Sequence, residues 1–152
     1  MMAAMTIGVG SPAPRIAGVD LQGPRALVFF KVTCGTTQLA TPAIERLAQA
    51  HPARVVGLGQ DPPDALDAFA RTYALTLPLV EDPPPYTASD AYGITSAPTL
   101  VIVDGAGVVA DVAASWDREA WNRAAGTLAA LTGADPVPVS EPGDGLPDFK
   151  PG

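Results

Sequence analysis

The run ALVFFKV (Ala26–Val32) is apolar almost throughout and stops at Thr33-Cys34-Gly35. A continuous apolar stretch of that length, without polar alternation, is typical of a strand buried on both faces. The pattern then becomes helical: from Thr36 to Ala50, Leu39, Ala43, Leu47 and Ala50 recur at spacings of three and four, with Ile44 beside them. His51-Pro52 stops it. The chain therefore passes from buried strand to amphipathic helix within a few residues, and its lone cysteine sits at the junction.

The remaining segments repeat this alternation. ARVVGLG (Ala53–Gly59) reads as a second buried strand, and Pro63 with Asp64 suits a helix start. ALDAFARTYAL (Ala65–Leu75) places Leu66, Phe69, Ala70 and Tyr73 on one helical face, and LPLVED (Leu77–Asp82) is a short strand. DPPPYTASDAYGITSAP is mostly loop, with a helical turn near Ser89–Tyr92. Thr99–Val103 and Val108–Val112 read as strands joined by Asp-Gly-Ala-Gly, a hairpin signal. Trp116 to Leu131 is a final helix, with Trp116, Ala120, Trp121, Ala124, Leu128 and Leu131 as candidate core positions. The order β-α-β-α-β, then hairpin and helix, implies parallel strands with crossover helices and an antiparallel edge. That is a three-layer α/β/α sandwich with a mixed central sheet.

A chain of 152 residues suits one domain, placed at 1–132. Asp20-Leu-Gln-Gly23 reads as a turn. The segment 133–152 is dense in Pro, Gly and acid and is expected to be disordered or laid along the surface. The net charge of -7 argues against nucleic acid as a partner, and no basic amphipathic stretch suggests a membrane surface. The N-terminal MMAAMTIGVGSPAP lacks the basic region and apolar run of a secretion signal, so a cytoplasmic location is expected. A single cysteine cannot form an internal disulfide. With one Cys and one His, no metal site or cofactor is expected. His51 reads as a structural cation at a helix C-terminus. Gly57-Leu-Gly59 lacks the context of a dinucleotide site.

Cys34 stands where the unpaired N–H groups of a helix N-terminus favour an anion. A thiolate is such an anion, so its pKa should fall and its reactivity rise. Gly35 does not obstruct approach, and the N–H groups of Gly35 and Thr36 are expected to face the sulfur. The Thr37 hydroxyl is placed to reach the sulfur or to bond back to the helix. The competing reading is that Cys34 is a small buried hydrophobe.

Ser96-Ala97-Pro98-Thr99 places a proline at the start of a buried strand, where no ladder donor is needed. The combination of strand, Cys turn and helix, then Pro-Thr-strand and Asp-Gly hairpin, resembles the thioredoxin superfamily. The likeness is closest to its redoxin branch, the thioredoxin-like thiol-disulfide oxidoreductases and the alkyl hydroperoxide reductase and thiol-specific antioxidant proteins. Val9-Gly-Ser-Pro-Ala-Pro14, Pro42 eight residues after Cys34, Asp90-Ala-Tyr-Gly-Ile94 and Val103-Asp-Gly-Ala-Gly-Val108 are similar to that branch over roughly residues 8–131. The resemblance implies that Cys34 is the nucleophile, that Pro98 is cis against it, and that backbone at Ala97 pairs with an extended substrate. Thr33, Gly35 and Thr36 would complete the substrate side.

The sequence also departs from that pattern. Thr37 replaces the resolving cysteine, Thr33 the usual tryptophan, and Val28 the buried carboxylate of thioredoxin. Cys34-Gly-Thr-Thr37, with Gln60 after the second strand, is similar to the turn of glutathione peroxidases, although Ala97-Pro98 stands where that family has Trp-Asn. The expected activity is a single-cysteine oxidoreductase acting on a protein disulfide or a peroxide, resolved by a small-molecule or other external thiol. A one-cysteine peroxidase, a non-catalytic binding module and a Cys34-linked redox dimer are the alternatives. Lys31 and Tyr86 are secondary candidates for the surroundings of the thiol.

Overall fold

β1 (Arg25–Phe30) is the middle strand of a five-stranded sheet and carries the architecture. The computed structural model describes residues 6–20 and 22–152. Met1–Met5 lie outside the described residues, as does Leu21, part of the turn expected at Asp20–Gly23. β1 runs parallel to β2 (Val55–Gly59), with Ala26 opposite Val55 and Phe30 opposite Gly59. β2 in turn runs parallel to β3 (Leu79–Glu81). On its other edge β1 pairs antiparallel with β4 (Thr99–Val103), which forms a hairpin with β5 (Val109–Ala114). The sheet order is β3-β2-β1-β4-β5, so the mixed sheet and its antiparallel edge are as the sequence predicts.

Alternation along β1 divides the core into two layers. Ala26 and Val28 face a cluster built from Ala40, Ala43, Ile44 and Leu47 of α1 (Gly35–Ala50) with Trp121, Ala124 and Leu128 of α4 (Arg118–Thr132). Leu27 and Phe29 face the opposite layer, which contains Ala88 of the short α3 (Thr87–Ala91), Tyr92, and the N-terminal Ile7, Ala13 and Ile16. Phe30 packs on Leu66 and Phe69 of α2 (Pro63–Tyr73), its ring 5.6 Å from that of Phe69. Gly57 and Gly59 make this possible: a Cβ on Gly57 would lie 2.9 Å from the Phe30 ring, and one on Gly59 would meet both that ring and Leu66. That packing role is what the structure gives to Gly57-Leu-Gly59.

Local chemistry moves several element ends. β1 stops at Phe30 rather than Val32, because the Val32 N–H donates to the Asp61 carboxylate (2.9 Å) and the chain turns. The last helix begins at Arg118, not Trp116. Trp116–Asp117 form a two-residue strand, β6, and Asp117 caps the helix by accepting from the Ala120 N–H. Trp116 and Trp121 are both fully buried, whereas Leu131, expected in the core, is 40% exposed. Pro42 lies inside α1. Its missing N–H leaves the Gln38 carbonyl without its helical donor, and the Thr41 hydroxyl donates to that carbonyl instead (2.8 Å). His51 closes α1, but it is not the cation expected there: burial and then the nearby Arg54 charge push its pKa down, favouring the neutral ring.

Of the two readings of 133–152, disorder or a segment laid along the surface, the structure matches the second. Val139 and Ser140 are buried, and Phe149–Lys150 form β7, antiparallel to β6. The anchor is Arg118, itself buried. Its side chain donates to the Ser140 hydroxyl (3.0 Å), the Leu146 carbonyl (2.6 Å) and the Asp148 carboxylate, and lies 3.5 Å from Asp144. Trp116 donates to the Pro147 carbonyl (2.7 Å). Asn122 donates to the Ser140 carbonyl and accepts from the Val139 N–H, both at 2.8 Å. The Leu146 N–H and then the Ser140 hydroxyl hold the Asp144 carboxyl well below its usual range. Low apolar content argues for disorder because little surface can be buried. Here polar groups on β6 and α4 satisfy the segment's backbone, and composition does not register that. Arg118→Ala should cost about 2–4 kcal/mol of stability, read from the urea midpoint. Amide protection should be lost across 139–150 and retained in β1 and β4.

Candidate functional site

Cys34 is the N-cap residue of α1, in extended conformation, delivered by the turn after β1. Its N–H donates to the Lys31 carbonyl (3.2 Å) and its carbonyl accepts from the Gln38 N–H (3.0 Å). The Gln38 side chain donates to the Val32 carbonyl (2.9 Å), tying the first helical turn to the preceding loop. The thiol is partly exposed, so it is not a fully buried hydrophobe. It donates to the Ala97 carbonyl at 3.4 Å, and the Ala97–Pro98 peptide is cis. Cys34 and Pro98, separated widely in sequence, thus meet at one end of the sheet, where β1 ends and β4 begins.

Opposing effects act on the thiol. Burial pushes its pKa up, but the Thr37 N–H and hydroxyl, followed by the Thr36 N–H, pull it down, and the net shift is downward. Gly35 is not among the causes, so the N–H groups that matter are one residue further along than the sequence reading placed them. Gly35 leaves the approach open: a Cβ there would meet nothing within 4 Å. Thr37 is wholly buried, and its Oγ1 has no hydrogen-bond partner among the described residues. The missing partner matches the protonated state of the sulfur. As a thiol, Cys34 spends its hydrogen on Ala97 and the Thr37 hydroxyl goes unpaired. As a thiolate, Cys34 can accept from that hydroxyl. An unpaired buried hydroxyl is costly, so the site is better satisfied when the sulfur is charged.

A cavity of about 340 Å³ opens beside the thiol, lined by Phe30, Lys31, Cys34, Gln60, Ala97 and Gly152 among others. Gln60 and Lys31 therefore belong to the site's surroundings; Tyr86 does not line this cavity and instead caps α3. Thr33 is exposed on the turn, and Thr36 is buried with its hydroxyl donated to the Pro151 carbonyl (2.7 Å). Val28, at the position of thioredoxin's carboxylate, is buried among apolar side chains. Among the described residues no three His, Cys, Asp or Glu gather as a metal site, and no helix is long and apolar enough to cross a membrane.

Sequence reasoning missed Pro151, Gly152 and Ser115. Gly152 lines the cavity, and its N–H donates to the Ser115 hydroxyl (3.2 Å). Ser115 adopts a left-handed conformation (φ 61°), which a serine between two strands does not advertise. The available signal for an ordered 133–152 was its scattered apolar residues Val137, Val139, Leu146 and Phe149.

Comparison with known proteins agrees with this geometry. The model of the AhpC/TSA family matches residues 15–112, from ahead of β1 into β5. The thiol:disulfide interchange protein DsbE of Xylella fastidiosa (strain 9a5c) is 31% identical over 104 residues, covering 64% of this chain and 51% of the relative. The chain spans about half the length of the curated relatives it matches. A DsbE structure from Chlorobium tepidum superposes with a TM-score of 0.70 at 18% identity, over 83% of this chain and 99% of that one. A secreted Mycobacterium tuberculosis disulfide oxidoreductase, described as homologous to E. coli DsbE, gives 0.62 at 21% identity, over 82% and 96%. Those structures share the fold, and the family match spans both Cys34 and Pro98: the chain belongs to the AhpC/TSA family, in the redoxin branch of the thioredoxin superfamily.

Proposed function

We propose that the protein is a thiol-based oxidoreductase that works through Cys34 alone. The observation that carries this reading is a lowered thiol pKa beside a buried, unpaired Thr37 hydroxyl. In disulfide reduction, the Cys34 thiolate attacks one sulfur of the substrate, the S–S bond breaks, and the second sulfur leaves as a thiolate. An external thiolate then attacks the substrate sulfur of the mixed disulfide and Cys34 departs as a thiolate. A second external thiol completes reduction of the substrate. Thr37 serves as the hydroxyl that stabilises the leaving Cys34, a task the missing second cysteine would otherwise share with resolution. Pro98 and the Ala97 backbone form the substrate side, with Thr33, Gly35 and Thr36 around it. The names of the DsbE relatives favour disulfides as substrates. A lone thiol needing an outside reductant suits the cytoplasm, where small thiols are abundant.

Gln60 in the same cavity favours a second reading, reduction of a hydroperoxide. The thiolate attacks the terminal peroxide oxygen, the O–O bond breaks, and the alkoxide takes a proton and leaves as an alcohol. The resulting sulfenic acid condenses with an external thiol, losing water, to give a mixed disulfide that a second thiol reduces.

Three measurements test the proposal. Cys34→Ser should lower disulfide or peroxide reduction on the order of a thousandfold or more. The alkylation rate of Cys34 against pH should report a pKa below that of free cysteine, and Thr37→Val should move it back upward with the fold intact. A wild-type value equal to free cysteine would leave only a binding module. The third measurement is stability against pH. A folded pKa below the unfolded one means that the folded chain holds a thiolate where the unfolded chain still holds a thiol. Relative to Cys34→Ala, wild-type stability should therefore increase as pH rises from the folded value to the unfolded one. It should be lost again as pH falls through the folded value.

A further inference from the structure

The segment 133–152 reaches the cavity that the thiol lines. β7 pairs with β6, Lys150 opposite Trp116 and Phe149 opposite Asp117, and this aims the next residues across the start of α1. The Pro151 carbonyl then accepts the Thr36 hydroxyl (2.7 Å), and the Gly152 N–H donates to Ser115 (3.2 Å). Gly152 lies so close to the Ala97 carbonyl that a Cβ built on it would fall on that oxygen. This is the same carbonyl that accepts the Cys34 thiol. These contacts hold Pro151 and Gly152 in place, with Gly152 beside the Ala97 carbonyl on the edge that the reading above assigns to substrate.

We propose that residues 149–152 are a substrate filter: they occupy the edge on which an extended polypeptide would pair and leave the Cys34 cavity open to small molecules. The inference rests on the reading of Ala97–Pro98 as the substrate edge. It deepens that reading by naming the class admitted while the segment is docked, small disulfides or hydroperoxides. Two magnitudes support it. A segment tethered to the same fold competes at an effective concentration in the millimolar range, enough to exclude a weakly pairing peptide. The cavity that remains, about 340 Å³, is at the small end of ligand pockets. Upstream the segment is held by buried Arg118 and Trp116, but Phe149 is 57% exposed. Residues 149–152 are therefore the displaceable part, and the anchor keeps them nearby.

The test uses two probes with the same leaving group: methyl 2-pyridyl disulfide, and a peptide of about ten residues whose central cysteine carries the 2-pyridyl disulfide. Release of pyridinethione gives the rate of thiolate attack for each. Gly152→Leu cannot dock beside the Ala97 carbonyl, and Ser115→Ala removes the acceptor for the Gly152 N–H. If the segment is docked about nine-tenths of the time, Gly152→Leu should raise the peptide rate about tenfold. The small-probe rate should rise far less than the peptide rate, and Ser115→Ala should act in the same direction. Unchanged peptide rates in both variants would overturn the proposal. Equal rises for both probes would also overturn it, since they describe a general lid. The peptide-to-small ratio cancels the nucleophilicity of the thiol. An ordinary thiol pKa would therefore fail the enzymatic reading while the ratio still decides the filter.

Discussion

Burial of β1 on both faces is the constraint from which the rest follows. Leu27, Val28 and Phe29 are each about 1% exposed, and each such side chain contributes about 1.5–3 kcal/mol when taken from water. Two opposite faces must be covered at once, which calls for α1 and α4 on one side and the α3 layer on the other. The strand therefore cannot slip: a one-residue shift would exchange Val28 with Phe29 and mismatch both layers. Its end is fixed as a result, and so is the point where α1 starts. Cys34 occupies that point because the sheet and the helix leave the chain no other path.

Helix-end electrostatics then act on a group whose position the core has already set. The Thr36 and Thr37 N–H groups face the sulfur because helix geometry leaves first-turn donors unpaired. Threonine at position 37 has two consequences. It removes the second sulfur that would close an intramolecular disulfide, and it places a hydroxyl where that sulfur would be. Buried and without a partner among the described residues, this hydroxyl joins the Thr37 and Thr36 N–H groups in lowering the thiol pKa.

The 133–152 segment reverses the usual relation between composition and order. Its anchor is polar: one buried guanidinium gathers Ser140, Leu146, Asp148 and Asp144 onto α4. Burying such a charge is tolerable only with its donors satisfied, and here carbonyls, a hydroxyl and carboxylates satisfy them. The arrangement does more than tether the chain, since β7 continues from it toward the thiol. The same segment that Arg118 anchors brings Gly152 beside the Ala97 carbonyl, the acceptor of the Cys34 thiol.

Periodicity and turn chemistry are local, so the sequence alone was enough to read the strand and helix order, the hairpin at Asp104 and the proline ahead of β4. Cys34 was legible for the same reason: a thiol at a strand-to-helix junction is a feature of a few consecutive residues. Element ends were less so, because Asp61 ending β1 and Asp117 capping α4 depend on which loop arrives beside them. A cis Pro98 against Cys34 needed a family resemblance to foresee, and the bond from Cys34 to the Ala97 carbonyl needed the structure. The contact of Gly152 with that same carbonyl needed the structure outright. It depends on Arg118 meeting residues far along the chain and on the left-handed turn at Ser115, and no window of sequence contains both sides of either. Short-range chemistry decided what the elements are and where the thiol sits; only long-range packing decided what stands in front of it.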